Sequence, residues 1–248
     1  GTRMKSDTPT VLHAAAGRSL VEWDMAAAEG LSPELLHVVI GPESESRVED
    51  LPWAKPGSWS VQRERKGTGH AVQQAADAMA GASGYTLVLY ADTPLVTTQA
   101  LRTLVEDTIA DKADVALTVF EAEEPGGYGR IVLDDEGRPL EIVEAKDASP
   151  EQREITLCNG GLMLARNEVL FELLAQTTDK NAAGEFYITD IVGLARKGGL
   201  RTRASRFDPS LLVGVNSRSE LAAVEAVLQD RLRTALMEGG VTMIAPDT

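Results

Sequence analysis

An apolar run, Tyr85–Tyr90, leads directly into Ala91, Asp92, Thr93 and Pro94. A carboxylate just past a strand end, stiffened by proline, can take Mg²⁺ through one oxygen while phosphates supply other ligands. Read alone, Asp92 is more simply a turn residue, because Asp bonds its own backbone in turns. Asn216 ends the short segment Gly214–Asn216 and begins the last expected helix. It is either an N-cap or a neutral oxygen ligand for the same cation. Gly67, Thr68 and Gly69 precede another expected helix, where glycines admit a ligand to backbone N–H groups and the helix start favours anions. Such glycine pairs are common. The amide of Gln62 can read a nucleobase edge, although a surface glutamine is the simpler reading. Glu144 can accept from sugar hydroxyls and Lys146 can hold a phosphate, against the plainer reading of a solvated charged face that also includes Asp147. Gly126–Gly129 is a glycine-rich turn. Asn159, Gly160 and Gly161 interrupt an apolar strand, which marks close approach by a ligand or another backbone.

Covalent catalysis finds no support. His13, His37 and His70 lack ligand spacing, and the single cysteine, Cys158, excludes an internal disulfide and any multi-cysteine zinc site. Lys and Arg number 24 against 38 Asp and Glu, a formal charge of −14 over 248 residues. That balance argues against nucleic acid and anionic membranes as partners. The 43% hydrophobic and 25% charged content is that of a globular protein. No apolar run reaches the roughly 18 residues of a membrane span, and nothing resembles a signal peptide, so a cytoplasmic protein is expected.

The elements that must position these residues alternate. The pattern predicts a helix over Leu12–Glu29, strands at His37–Gly41 and Ser60–Gln62, and a helix over Thr68–Met79. Tyr85–Tyr90 reads as a strand buried on both faces, followed by a helix over Thr98–Ala110 and a strand over Asp114–Ala122. Arg130–Leu133 and Pro139–Val143 flank a hairpin loop at Asp134–Gly137. A strand over Leu157–Ala165 follows, then helices over Glu168–Gln176 and Ile188–Arg196. Arg201–Phe207 is expected to be extended, and Ser219–Met237 to form a long amphipathic helix. This order implies one α/β domain, a mostly parallel sheet with an antiparallel insertion. An open α/β sheet usually begins with a central strand feeding a phosphate turn. No such strand precedes the first predicted helix, so an N-terminal segment missing from the sequence is expected.

The ordered set of motifs carries more than its members. Gly1–Met4, Gly67–Gly69, Leu89–Leu95, Gly127–Ile131, Val143–Ala148, Asn159–Gly161, Asn181–Asp190 and Gly214–Asn216 follow one another as in the N-terminal uridyltransferase domains of the bacterial bifunctional GlmU family, which this chain resembles over nearly its whole length. The resemblance implies a Rossmann-like, GT-A-like nucleotidyltransferase fold. The implied reaction joins UTP and N-acetylglucosamine 1-phosphate into UDP-N-acetylglucosamine and pyrophosphate with Mg²⁺, for peptidoglycan and lipopolysaccharide precursors. Arg3 matches the arginine of the family's nucleotide loop, and Asp92 and Asn216 match its metal pair. Gln62, Gly67 and Thr68 match positions around the uracil. Tyr90 and Ala91 match the segment beside Asp92, and Gly129, Glu144, Asn159 and Asn216 match positions around the acetamido sugar and ribose.

Three features depart from the family: no strand precedes Gly1, Thr10 stands where a lysine is usual, and Ala91 replaces a common glycine. A lost charged phosphate contact is worth about 1.5–3 kcal/mol. Residues 1–240 are expected to form the uridyltransferase domain and 241–248 the threshold of an acetyltransferase β-helix. The full-length protein would then acetylate glucosamine 1-phosphate and form a homotrimer, and this chain alone a monomer or weak oligomer. The alternatives are a nucleotidyltransferase for another sugar 1-phosphate and a non-catalytic nucleotide-sugar-binding module.

Overall fold

The structure, a computed structural model, describes residues 4–48, 54 and 57–247. Arg3 lies outside the described residues. The chain opens with a 3₁₀ turn at Thr10–Leu12 and a short hairpin, β1 (Ala14–Ala15) and β2 (Arg18–Ser19). Ala16 and Gly17 form its tip with φ of 47° and 81°, a left-handed pair that no helix tolerates. Helix α1 (Leu20–Glu29) therefore starts at Leu20 and not at Leu12. Glu22 Oε2 accepts from the Ser19 N–H at 2.8 Å and from its hydroxyl at 2.6 Å, which closes the helix start.

β3 (Val38–Ile40), α2 (Glu45–Val48), β4 (Trp59–Val61), α3 (Thr68–Gln73) and β5 (Tyr85–Val88) come next. α3 gives out at Gln73 and continues as turns, shorter than the expected helix to Met79. α4 (Thr98–Asp111) is capped by Thr97, whose hydroxyl accepts from Ala100 N–H at 3.2 Å. β6 (Val115–Glu121), the hairpin β7 (Arg130–Leu133) and β8 (Pro139–Val143), α5 (Pro150–Arg153) and β9 (Leu157–Arg166) build the centre. α6 (Asn167–Leu174), α7 (Asp190–Lys197), β10 (Thr202–Arg206) and α8 (Arg218–Glu238) complete the order.

Six strands form the main sheet. β10 pairs parallel with β6, and β9 runs antiparallel along the whole of β6. The other edge of β9 is shared: β5 pairs with Met163–Arg166 and β7 meets Cys158, both antiparallel, and β8 closes on β7. β5, β6, β7 and β10 thus point one way and β8 and β9 the other. The sheet is mostly parallel in strand direction, and the antiparallel insertion takes in β9 as well as the hairpin. β6 buries both faces: Val115, Leu117 and Val119 pack toward α6 and α7, and Ala116 packs with Leu104 of α4 on the opposite side.

β3 and β4 form a separate parallel pair. Between that pair and β5 runs a groove of about 1080 Å³, lined by Val21, Asp24 and Met25 of α1, Val72 of α3, and the β5 residues. β5 faces this groove, which is why Tyr85–Val88 is half-buried and not covered on both faces as its apolar run suggests.

Candidate functional site

The split edge of β9 makes the site. Between Leu117↔Met163 and Val119↔Asn159 the β6–β9 register shifts, so β9 bulges at residues 160–162 while β5 and β7 diverge on its far side. Thr118 Oγ1 holds the bulge, accepting from Leu162 N–H at 3.1 Å. A Cβ at Gly160 would lie 2.6 Å from that hydroxyl oxygen, and one at Gly161, where φ is 89°, 3.0 Å from the Tyr90 ring. The two glycines thus admit close approach by protein side chains. Asn159 is set by the same bulge: its N–H donates to Gly129 O at 2.8 Å, and its Oδ1 accepts from Gly161 N–H at 3.0 Å.

Gly129, Glu144, Asn159 and Tyr90 converge here. A Cβ at Gly129 would sit 3.6 Å from both Asn159 Cβ and Glu144 Oε2, and 3.0 Å from Ile142 Cγ2, so this corner stays open only as glycine. Glu144 Oε1 accepts from the Thr189 hydroxyl at 2.8 Å. Burial first, and then the Glu144 charge, push the Tyr90 phenol up to about 12, so it stays a neutral hydroxyl. Burial first, and then the Asp147 and Glu144 charges, raise Tyr187, and burial with the Glu144 and then the Asp147 charge raises Asp190. Tyr187, Thr189 and Asp190 therefore belong to this cluster although no role was read for them individually; the signal was the motif Asn181–Asp190 itself. Asn181 folds that motif, accepting at Oδ1 from Ala183 and Glu185 N–H, each at 3.2 Å. Lys146 is exposed nearby, and Asp147 Oδ1 accepts from Ala182 N–H at 2.7 Å.

The Gly67–Gly69 turn is where this motif docks. Gly67 has φ of 105°, and a Cβ on it would lie 2.6 Å from Phe186 O. The Gly69 N–H donates to Phe186 O at 2.8 Å, and Thr68 Oγ1 accepts from Ile188 N–H at 3.1 Å. α3 is six residues long and the Gly69 amide is spent inside the protein, so the expected anion-attracting helix start gives way to a backbone-docking turn. The Gln62 amide nitrogen donates to Gly67 O at 2.9 Å and lies 3.0 Å from His70 Nδ1, which leaves the Gln62 carbonyl for a ligand.

Asp92 and Asn216 form the second centre. Val215 N–H donates to Asp92 O at 2.8 Å and joins the two loops. A Cβ at Gly214 would be 3.9 Å from Asp92 Oδ2 and 3.7 Å from Asn216 Nδ2, so both side-chain ends border one small space. Burial, with the Glu220 charge in support, raises the Asp92 carboxyl above its ordinary value. A cation offsets both causes, and an anionic oxygen beside an amide, whose carbonyl oxygen faces the ion once the Asn216 amide is turned over, is a donor set suited to a hard divalent ion. Among the described residues no three His, Cys, Asp or Glu are grouped to enclose a metal. A cation held here would therefore depend on substrate oxygens for much of its coordination. Asn216 precedes the N-cap, which is Ser217, so its side chain is not spent on capping.

Behind Asp92, Thr93 Oγ1 donates to Tyr90 O at 3.0 Å and lies 3.3 Å from Asp24 Oδ1. Asp24 is only 4% exposed and is another residue the sequence reading missed. Ala91 is not among the residues of positive φ, so glycine's freedom is not needed there. Cys158 is buried and its thiol is pushed up by burial, which makes it no nucleophile.

The MobA-like NTP transferase domain model matches residues 1–238. The chain belongs to the MobA-like NTP transferase family. It is 42% identical over 249 residues to the bifunctional protein GlmU of Hyphomonas neptunium, covering all of this chain and 54% of that protein. It is 49% identical over 253 residues to that of Rhodospirillum rubrum, covering all of this chain and 55% of that protein. The chain thus spans about half the length of these curated relatives. Among solved structures, a UDP-glucose pyrophosphorylase complexed with UDP-glucose superposes with a TM-score of 0.67 at 20% identity, covering 90% of this chain and 91% of that one. An apo UDP-glucose pyrophosphorylase gives 0.68 at 18%, covering 93% and 95%. These two establish the likeness of fold. Among the described residues no helix is long and apolar enough to cross a membrane.

Proposed function

We propose that this chain is the uridyltransferase half of a GlmU protein, transferring uridylyl from UTP to N-acetylglucosamine 1-phosphate with release of pyrophosphate. One observation carries the reading: Gly129, Glu144 and Asn159 meet in one corner and Asp92 and Asn216 border one space at Gly214, with Tyr90 feeling the charge of both Glu144 and Asp92, in a chain similar throughout to GlmU proteins. In this reading an oxygen of the sugar phosphate attacks the α-phosphorus of UTP, and the bond to the β-phosphate oxygen breaks. The attacking phosphate is already ionised near neutral pH, so no residue need take a proton and positioning supplies the rate.

Glu144 and Asn159 hold and orient the acetamido sugar. The Gln62 carbonyl and the Gly67–Thr68 turn bound the uracil, and Tyr90 and Ala91 flank Asp92. Asp92 and Asn216 would hold Mg²⁺, which when bound offsets phosphate charge. Arg3 is proposed to face the triphosphate. UDP-N-acetylglucosamine made in the cytoplasm would feed cell-wall precursors. Residues 241–248, of which 241–247 carry no helix or strand, would lead into the acetyltransferase half and its trimer. The chain alone would then be a monomer or weak oligomer.

Competition among nucleoside triphosphates, and between acetamido and plain sugar 1-phosphates, tests this assignment. Preference for UTP with the acetamido sugar is expected; equal use of another pair would overturn it.

A further inference from the structure

We infer that Glu220 is a positioning residue of the proposed cation site, pinning the main chain of Asn216 and holding a carboxylate charge against it. The inference rests on the reading of Asp92 and Asn216 as cation-holding residues. Ser217 caps α8, its hydroxyl accepting from Glu220 N–H at 3.3 Å. A glutamate three residues after a capping serine ordinarily returns its carboxylate to the serine's own N–H. Glu220 instead reaches one residue further back, and its Oε2 accepts from Asn216 N–H at 2.7 Å. The carboxylate is thus spent on the residue whose side chain borders the shared space at Gly214.

The Asp92 loop is fixed from the same short stretch, because Val215 N–H donates to Asp92 O. One helical turn thereby fixes the geometry of Asn216 and raises the local negative potential. Arg218 of that turn donates from Nε to Met4 O at 3.1 Å and ties the segment at Met4 to the same helix end.

Glu220→Gln keeps an acceptor oxygen for Asn216 and removes the charge; Glu220→Ala removes both. The side chain is exposed and Ser217 retains the cap, so both variants should fold, which circular dichroism checks. Mn²⁺ binding to the chain saturated with UTP is read by electron paramagnetic resonance, with Asp92→Asn as the control. Wild type should bind Mn²⁺ more tightly than UTP alone does. Glu220→Gln should weaken that binding roughly three- to tenfold, the scale of one solvent-screened charge on a divalent ion, and Glu220→Ala should weaken it further. Glu220→Gln binding equal to wild type would overturn the inference whatever the alanine variant does. A wild type that adds nothing to UTP's own Mn²⁺ affinity would instead overturn the reading of Asp92 and Asn216.

Discussion

Asp24→Asn should flatten the pH dependence of stability. Asp24 is 4% exposed, and its Oδ2 has no partner among the described residues. Thr93 has one hydroxyl hydrogen and two acceptors in reach, Tyr90 O at 3.0 Å and Asp24 Oδ1 at 3.3 Å, so a neutral Asp24 can supply its own proton to that contact. Burial above all, with a smaller push from Asp92, raises the carboxyl from 3.8 to about 8. Between pH 5 and 7 the folded group stays protonated while the unfolded one is ionised. Each pH unit in that window then removes about 1.4 kcal/mol of stability. The contribution is fully present below pH 3.8 and is lost as pH rises toward 8. Wild type should thus lose about 3 kcal/mol between pH 5 and 7 that the Asn variant keeps. At roughly 2–4 °C per kcal/mol for a domain of this size, that separates their Tm changes by about 6–12 °C. Urea denaturation of both chains at pH 5, 6, 7 and 8 reads it directly. The formal charge of −14 affects both alike, so the difference between the curves isolates Asp24. Parallel curves would show that Asp24 titrates as an ordinary carboxylate and would refute the burial argument.

Three other substitutions probe the remaining parts of the site. Gly160→Ala places a methyl 2.6 Å from Thr118 Oγ1 and 2.8 Å from Leu212 Cδ1, and should cost about 1–3 kcal/mol in urea denaturation; an unchanged midpoint would mean the bulge is slack. Glu144→Gln should raise KM for the sugar phosphate about tenfold, through a weakened charged hydrogen bond, with KM for UTP unchanged. A change confined to UTP would place Glu144 elsewhere. Asp92→Asn should lower cation-dependent turnover by at least about two powers of ten, ~2.7 kcal/mol, without loss of Tm; full turnover in steady-state kinetics would remove Asp92 from the cation site.

The alternation of apolar runs was enough to place most strands and helices, because a sheet buried on both faces writes itself as a nearly continuous run of Val, Leu and Ala, as in Val115–Val119, broken only by Thr118. It could not show that β9 runs backward between β5 and β6, since residues 157–166 read equally well in either direction. The start of α1 was misplaced because Leu12–Glu29 keeps a helical composition through a hairpin. Ser19 and Glu22 had the spacing of a capping box and were the available signal. At the site, Asp92, Asn216, Glu144 and Gly129 fall at loop and strand ends and Asn159 beside a glycine pair within a strand, where position alone suggests a role. Gly67–Gly69 and Gly160–Gly161 were visible as glycines, but their neighbours Phe186, Thr118 and Tyr90 are distant in sequence. Asp24 was hidden because a single acid on a helix is ordinarily solvated, and only the packed structure shows it beneath Thr93.

Pyrophosphate release from UTP and N-acetylglucosamine 1-phosphate, followed with and without Mg²⁺ on the chain as given, tests the central claim most directly. Release that requires both substrates and the cation is predicted. UDP-N-acetylglucosamine binding with no release would contradict it and leave a nucleotide-sugar-binding module.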